Sequence, residues 1–177
     1  MHIHIIGNGP SKEYFQNTPV GAVFGCNYGE PKIQEMKTVF IHDTRVFHNI
    51  QREKKPFPYD IITRVNFESY ANKLRQMGYI PGNVTYLPRS IREKSTGHDA
   101  LHFFVGCKDI EEIHLWGFDS IHSGDMSSDS RDKIQGSAQI LKLLPLWQQR
   151  FKRLGICARR VGKKVIVHQE NDRSFIL

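Results

Sequence analysis

Cysteine is scarce in this sequence. The three that occur, Cys26, Cys107 and Cys157, are odd in number, widely spaced and set among apolar residues. This pattern argues against both a disulfide framework and a cysteine zinc site, and it points to reduced core thiols in a cytoplasmic protein. Long hydrophobic runs are missing too: no apolar stretch approaches the roughly 18 residues that a membrane span needs. The first residues hold no basic segment followed by a hydrophobic one, so no signal peptide is expected. There are no heptads, internal repeats, low-complexity tails or linkers that would divide the chain, so residues 1–177 are read as a single domain. Acidic residues are outnumbered. With 25 Lys and Arg against 18 Asp and Glu, the net charge is +7. The basic residues cluster at 52–59, 89–94 and 150–164. Such a surface suits a polyanionic partner, such as nucleic acid, a nucleotide or an anionic glycan, or is simply a solvated basic face, and no recognisable nucleic-acid module accompanies the charge.

Short apolar strands alternate with amphipathic segments. Strands are expected at 2–6, 21–26, 38–42, 60–65, 84–88, 112–118, 156–161 and 163–168, and helices at 31–37, 44–53, 67–77, 97–108 and 136–153. The last helix is the most strongly patterned, with Ile140, Leu143, Leu144, Trp147 and Phe151 at helical spacing and a kink expected at Pro145. Repeated βα units with continuous apolar strands predict an α/β fold. We expect one Rossmann-like domain whose mostly parallel sheet is covered by helices on both faces.

In such sheets ligands gather at the carboxyl ends of the strands, and the polar residues of this chain stand there. The opening "HIHIIGNGPS" runs a strand into Gly7, Asn8, Gly9, Pro10 and Ser11. Glycines, a helix start and free amides together suit an anion. Asn27 follows the second strand, His42 and Asp43 the third, and Asp119 the sixth. Ser95, Thr96 and Gly97 open a helix and offer a second phosphate or ribose site, or simply an N-cap. The serine-rich stretch 120–133 has no periodicity and reads as a lid or acceptor loop over the sixth strand.

The order "IIGNGPS", "GCN" and "STG-helix-CKDIEEIHLWGFDS" resembles the bacterial CMP-sialic-acid-dependent sialyltransferases. It is also similar to the wider superfamily of Maf flagellin glycosyltransferases and the pterin pyrophosphokinase MptE. The resemblance spans roughly residues 2–29 and 94–120. It implies a transferase using a nucleotide-sugar donor, a CMP-sugar first of all, with no metal required. Gly7, Asn8, Gly9 and Ser11 would contact phosphates or ribose, and Asn27 the sugar or base. Ser95, Thr96 and Gly97 would lie near the phosphates or donor sugar, and Asp119 would close the site.

The sialyltransferases also carry a histidine base ahead of their final long helix, where this chain has Gln135 or Gly136. The base must then come from elsewhere: His122 first, then Asp125 and Asp43, with His98 a further candidate. His2, His4, His102 and His114 fall inside apolar patterns and are read as structural. A magnesium site would draw on His42, Asp43, Asp119, Asp125 or Asp129, but no Asp-x-Asp pair ends a strand. Two other readings accompany the glycosyltransferase: a non-catalytic nucleotide-binding module, and a pyrophosphokinase dependent on magnesium.

Overall fold

A computed structural model describes residues 1–16, 20–93, 95–121, 137–169 and 173–177. The fold is α/β, built on one eight-stranded sheet. The strands are β1 His2–Ile6, β2 Ala22–Cys26, β3 Thr38–Ile41, β4 Asp60–Arg64, β5 Val84–Leu87, β6 Glu112–Trp116, β7 Lys164–His168 and β8 Ser174–Ile176. Four α-helices occur among the described residues: α1 Thr44–Glu53, α2 Glu68–Gln76, α3 Thr96–Gly106 and α4 Ser137–Arg160. Across the sheet the order is β5-β4-β3-β2-β1-β6-β7-β8. Every pairing is parallel except β7 with β8. The chain therefore winds outward from β1 in one direction as far as β5, then crosses back through α3 to wind the other way. β1 and β6 flank the point of reversal, where open α/β sheets make a crevice at their carboxyl edge.

Strand side chains alternate between the two faces. Ile3, Ile5, Phe40, Ile62, Ile113, Leu115, Val165 and Val167 pack beneath α3 and α4, against Leu101, Phe104, Phe151, Leu154 and Ala158. Ile6, Val23, Val39, Ile41 and Ile61 face the other way, against Val46, Phe47, Ile50, Ala71 and Leu74 of α1 and α2. Lys163 is buried just before β7, and its ammonium caps the carbonyls of Phe104 and Cys107 at the end of α3, where the helix dipole favours a cation.

Three expectations need correction. The stretch 156–161 is not a strand: α4 continues to Arg160, because Phe151, Leu154 and Ala158 extend a buried helical stripe while Ile156 points outward. Residues 31–37 form no helix. Ile33 and Met36 each close a single turn, through bonds to the carbonyls of Glu30 and Ile33, and both side chains enter the core. The short β8 pairs antiparallel with β7, though no strand was expected there. α4 runs through Pro145.

Candidate functional site

Two loops interlock at the point of reversal. The amide of Gly7 donates to the Trp116 carbonyl at 2.6 Å, and that of Gly9 to the Gly117 carbonyl at 2.8 Å. The Ser11 amide and hydroxyl both donate to Asp119 Oδ2 at 3.0 Å, while Ser11 Oγ accepts from the Gly117 amide at 2.9 Å. Ser11 and Asp119 are both buried. A Cβ on Gly9 would collide with the Asp119 carboxylate, and Gly117 needs its glycine for a φ of +71°. The opening glycines thus let two backbones approach. The anion held at the start of the short 3₁₀ helix Pro10–Tyr14 is the chain's own Asp119. Asn8 is half-buried beside this knot, and its side chain bonds to nothing among the described residues.

A second group converges on the ends of β2, β3 and β4. Asn27 adopts a left-handed φ of 58°, a conformation that asparagine tolerates well. Its side-chain oxygen accepts from Thr96 Oγ1 at 2.9 Å, and Thr96 Oγ1 in turn accepts from the His42 amide at 3.1 Å. One threonine in the first turn of α3 thereby ties together two strand ends. The His42 ring lies with Nδ1 3.1 Å from Asp99 Oδ2, within ion-pair distance but turned off the ideal hydrogen-bond angle. Arg64, at the end of β4, grips the same carboxylate with Nε at 2.8 Å and Nη2 at 2.7 Å. The Glu93 amide donates to Asp99 Oδ1 at 3.0 Å.

Asp99 is 1 % exposed. Burial alone would raise its pKa, but the close His42 ring, the bonds from Arg64 and the Glu93 amide hold it below the ordinary carboxylate range. Glu93 is held down in the same way against its own burial, by the Arg150 guanidinium and by His102 Nδ1 at 2.7 Å.

The remaining described candidates make contacts within the chain. Asp43 caps α1, accepting from the Arg45 amide at 2.9 Å and pairing with the Arg45 guanidinium. Against its burial, that partner depresses its pKa, which makes it a weak base. Ser95 caps α3 and lies 2.6 Å from His98 Nδ1. His98 Nε2 faces the Trp147 carbonyl at 3.1 Å, so Nε2 carries the proton and Nδ1 accepts from Ser95. The ring stacks on Phe151 with centroids 4.0 Å apart. Burial pushes its pKa down to about 4, so it remains neutral. Gly97 packs against the Phe118 ring, leaving no room for a Cβ. His122, Asp125 and Asp129 lie outside the described residues.

Sequence reasoning passed over Asp99 and Arg64 and assigned His42 no acid–base role. The signal was present: His42 and Arg64 each end a strand, and Asp99 interrupts an apolar helix. No family model, curated protein or solved structure matches the chain. Among the described residues, no helix is long and apolar enough to cross a membrane.

Proposed function

We propose that the carboxyl edge around the β1/β6 reversal binds a nucleotide-activated sugar, and that His42 is the general base of transfer to an acceptor hydroxyl. The observation that carries this reading is the chain of contacts from Arg64 through Asp99 to His42. Asp99 faces Nδ1, the nitrogen that carries the proton in this reading. Nε2 then keeps its lone pair for a substrate, and the carboxylate stabilises the imidazolium that forms.

In the transfer step His42 Nε2 takes the acceptor's proton and the acceptor oxygen bonds to the anomeric carbon. The bond from that carbon to the nucleotide phosphate breaks, and the phosphate leaves with the electron pair. The start of α3 brings the positive end of a helix dipole to these strand ends, where Thr96 bonds Asn27, and so favours the anionic leaving group. Asn8 and Asn27 supply amide groups beside it. The net charge of +7 suits an anionic acceptor such as a glycan or nucleic acid. Three free cysteines suit a cytoplasmic setting.

A second reading, a binding module without turnover, draws on the knot itself: the amides of Gly7, Gly9 and Ser11 are already engaged within the chain. One experiment separates the two. The protein is screened by thermal shift against nucleotides and nucleotide-sugars, and nucleotide release is then followed by chromatography with each donor that binds. A ligand at a hundred times its Kd adds about 2.7 kcal/mol of stability. Release that falls about 10²-fold or more in His42→Gln, with nucleotide affinity kept, supports the base. Binding without release for any donor leaves the module, and no stabilisation by any nucleotide removes both.

A further inference from the structure

We propose that His2, Glu112 and His114 form a binding site for a divalent transition ion of the zinc class at the opposite, amino-terminal edge of the sheet. His2 and Glu112 stand directly across from each other in the parallel β1–β6 register, and His114 follows Glu112 by two residues on the same face. The three donor atoms converge. His2 Nδ1 lies 3.5 Å and His114 Nε2 3.3 Å from the same oxygen, Glu112 Oε2, and all three lie within 4.8 Å of one another. Around a tetrahedral ion with bonds of about 2.0–2.1 Å, neighbouring ligand atoms stand about 3.3–3.4 Å apart. Two of the three edges therefore already have ligand spacing. The third closes by rotation of His2, whose side chain is 37 % exposed.

The surroundings fit the same assignment. His114 Nε2 is buried yet makes no hydrogen bond, despite its closeness to the Glu112 carboxylate. Its other nitrogen, Nδ1, is 3.0 Å from His168 Nε2 on β7. In the tautomer that protonates Nδ1 toward His168, the Nε2 lone pair faces a carboxylate oxygen, and a cation between them satisfies both. A ligating imidazole whose second nitrogen is hydrogen-bonded is the arrangement metal sites use to fix the tautomer. Glu112 divides its two oxygens: Oε1 meets Lys164 Nζ at 3.4 Å, and Oε2 is left to the imidazoles. Two imidazoles and a carboxylate suit Zn²⁺ better than Mg²⁺ or Ca²⁺, which prefer oxygen alone. Three protein ligands leave a fourth position for water on the side where His2 meets solvent.

The test uses the full, tag-free chain, stripped of metal. Zn²⁺ is titrated in by calorimetry, and Co²⁺ is added separately to read the intense visible bands of tetrahedral coordination. One ion per chain and a tetrahedral Co²⁺ spectrum are expected, with affinity falling about 10²-fold or more in Glu112→Gln and in His2→Ala. His168→Phe should weaken binding about 10–100-fold through loss of the hydrogen bond to His114. His2 is partly exposed, so His2→Ala keeps the fold, as circular dichroism can verify. The proposal is overturned by an absence of stoichiometric binding, or by binding that His2→Ala and Glu112→Gln leave unchanged, since the ion would then sit on other surface histidines.

Discussion

The two ends of β1 and β6 solve opposite problems with similar residues. At the carboxyl ends, most buried polar groups are matched to one another, His42 Nδ1 being the exception, close to Asp99 without a hydrogen bond. Beside β1 and β6, Asp119 takes both donors of Ser11, and at the ends of β3 and β4 Asp99 takes Arg64 and an amide and lies within ion-pair distance of His42. About 15 Å away along the same strands, His2, Glu112 and His114 are close but unmatched, with one imidazole nitrogen buried and unbonded. A matched network holds loops in place, whereas an unmatched cluster of donors is arranged for a cation that the chain does not itself supply. The substitutions considered next probe that contrast in order of expected effect.

Arg64→Met should be the most damaging. It leaves Asp99, 1 % exposed, with a hydrogen-bonded amide and His42 alone. Removing one partner of a buried ion pair costs about 3–5 kcal/mol. Urea unfolding measures this loss, and a cost below about 1 kcal/mol would mean that water or rearrangement already compensates Asp99. His2→Ala, at the opposite edge, should stay within about 0.5 kcal/mol of the parent when metal is absent.

The next effect is a dependence on pH. His98 is neutral in the fold with a pKa of about 4, against about 6.5 when exposed. Because the folded value is the lower one, the unfolded chain takes up the proton first. Stability from this group is complete above about pH 6.5 and declines as pH falls, by about 3 kcal/mol on reaching pH 4. The carboxylates of Asp99 and Glu93, held below their ordinary range, add a further loss as pH falls below about 4. Denaturant melts from pH 7 to pH 4 should show a shallower slope in His98→Gln than in the parent protein, the remainder coming from His4 and His168, which burial also pushes down to about 4. Melts extended below pH 4 should show the carboxylate loss in both.

Gly9→Ala comes third, because its new Cβ would meet the Asp119 carboxylate held by Ser11. Overpacking of this kind costs about 1–3 kcal/mol. Gly106→Ala, at the end of α3, meets nothing within 4 Å and should instead stabilise by a few tenths of a kcal/mol. Thermal melts of the two variants should move in opposite directions. A shift of the same sign in both would show that Gly9 is not held by close approach.

These cases also show which parts of the molecule could be read in advance. β1 at His2–Ile6 and the strands from β2 to β4 were legible because their apolar runs are near-continuous, as burial on both faces requires. The end of α4 was not. "ICARRV" has the composition of a strand, and only its phase with Phe151 and Leu154 marks it as helix. The opening glycine loop was legible in position but not in purpose. No local pattern tells an anion cradle from a close crossing with Gly117 and Asp119, more than a hundred residues away. Asp99 was hidden because its partners, His42 and Arg64, come from two other strands. His2 and His114 read as structural because alternation along each strand is all that a sequence displays. Their meeting depends on the β1–β6 register, which a crossover through α3 creates.

The smallest effect tests the amino-terminal edge by its sign. Lys164 is 46 % exposed and lies 3.4 Å from Glu112 Oε1. An exposed pair of this kind contributes at most about 1 kcal/mol, so Lys164→Met in the metal-free protein should lower stability only slightly. In the presence of Zn²⁺ the direction reverses. The ammonium competes for Glu112 and repels a divalent ion beside it, so its removal should tighten Zn²⁺ binding a few-fold, and more at low ionic strength, where screening is weaker. Calorimetric titrations of Zn²⁺ into the parent and the variant at two salt concentrations measure both signs. Weaker Zn²⁺ binding in Lys164→Met would mean that the lysine holds Glu112 in its ligating position rather than competing with the ion. The amino-terminal edge would then be a matched network like the carboxyl-terminal one.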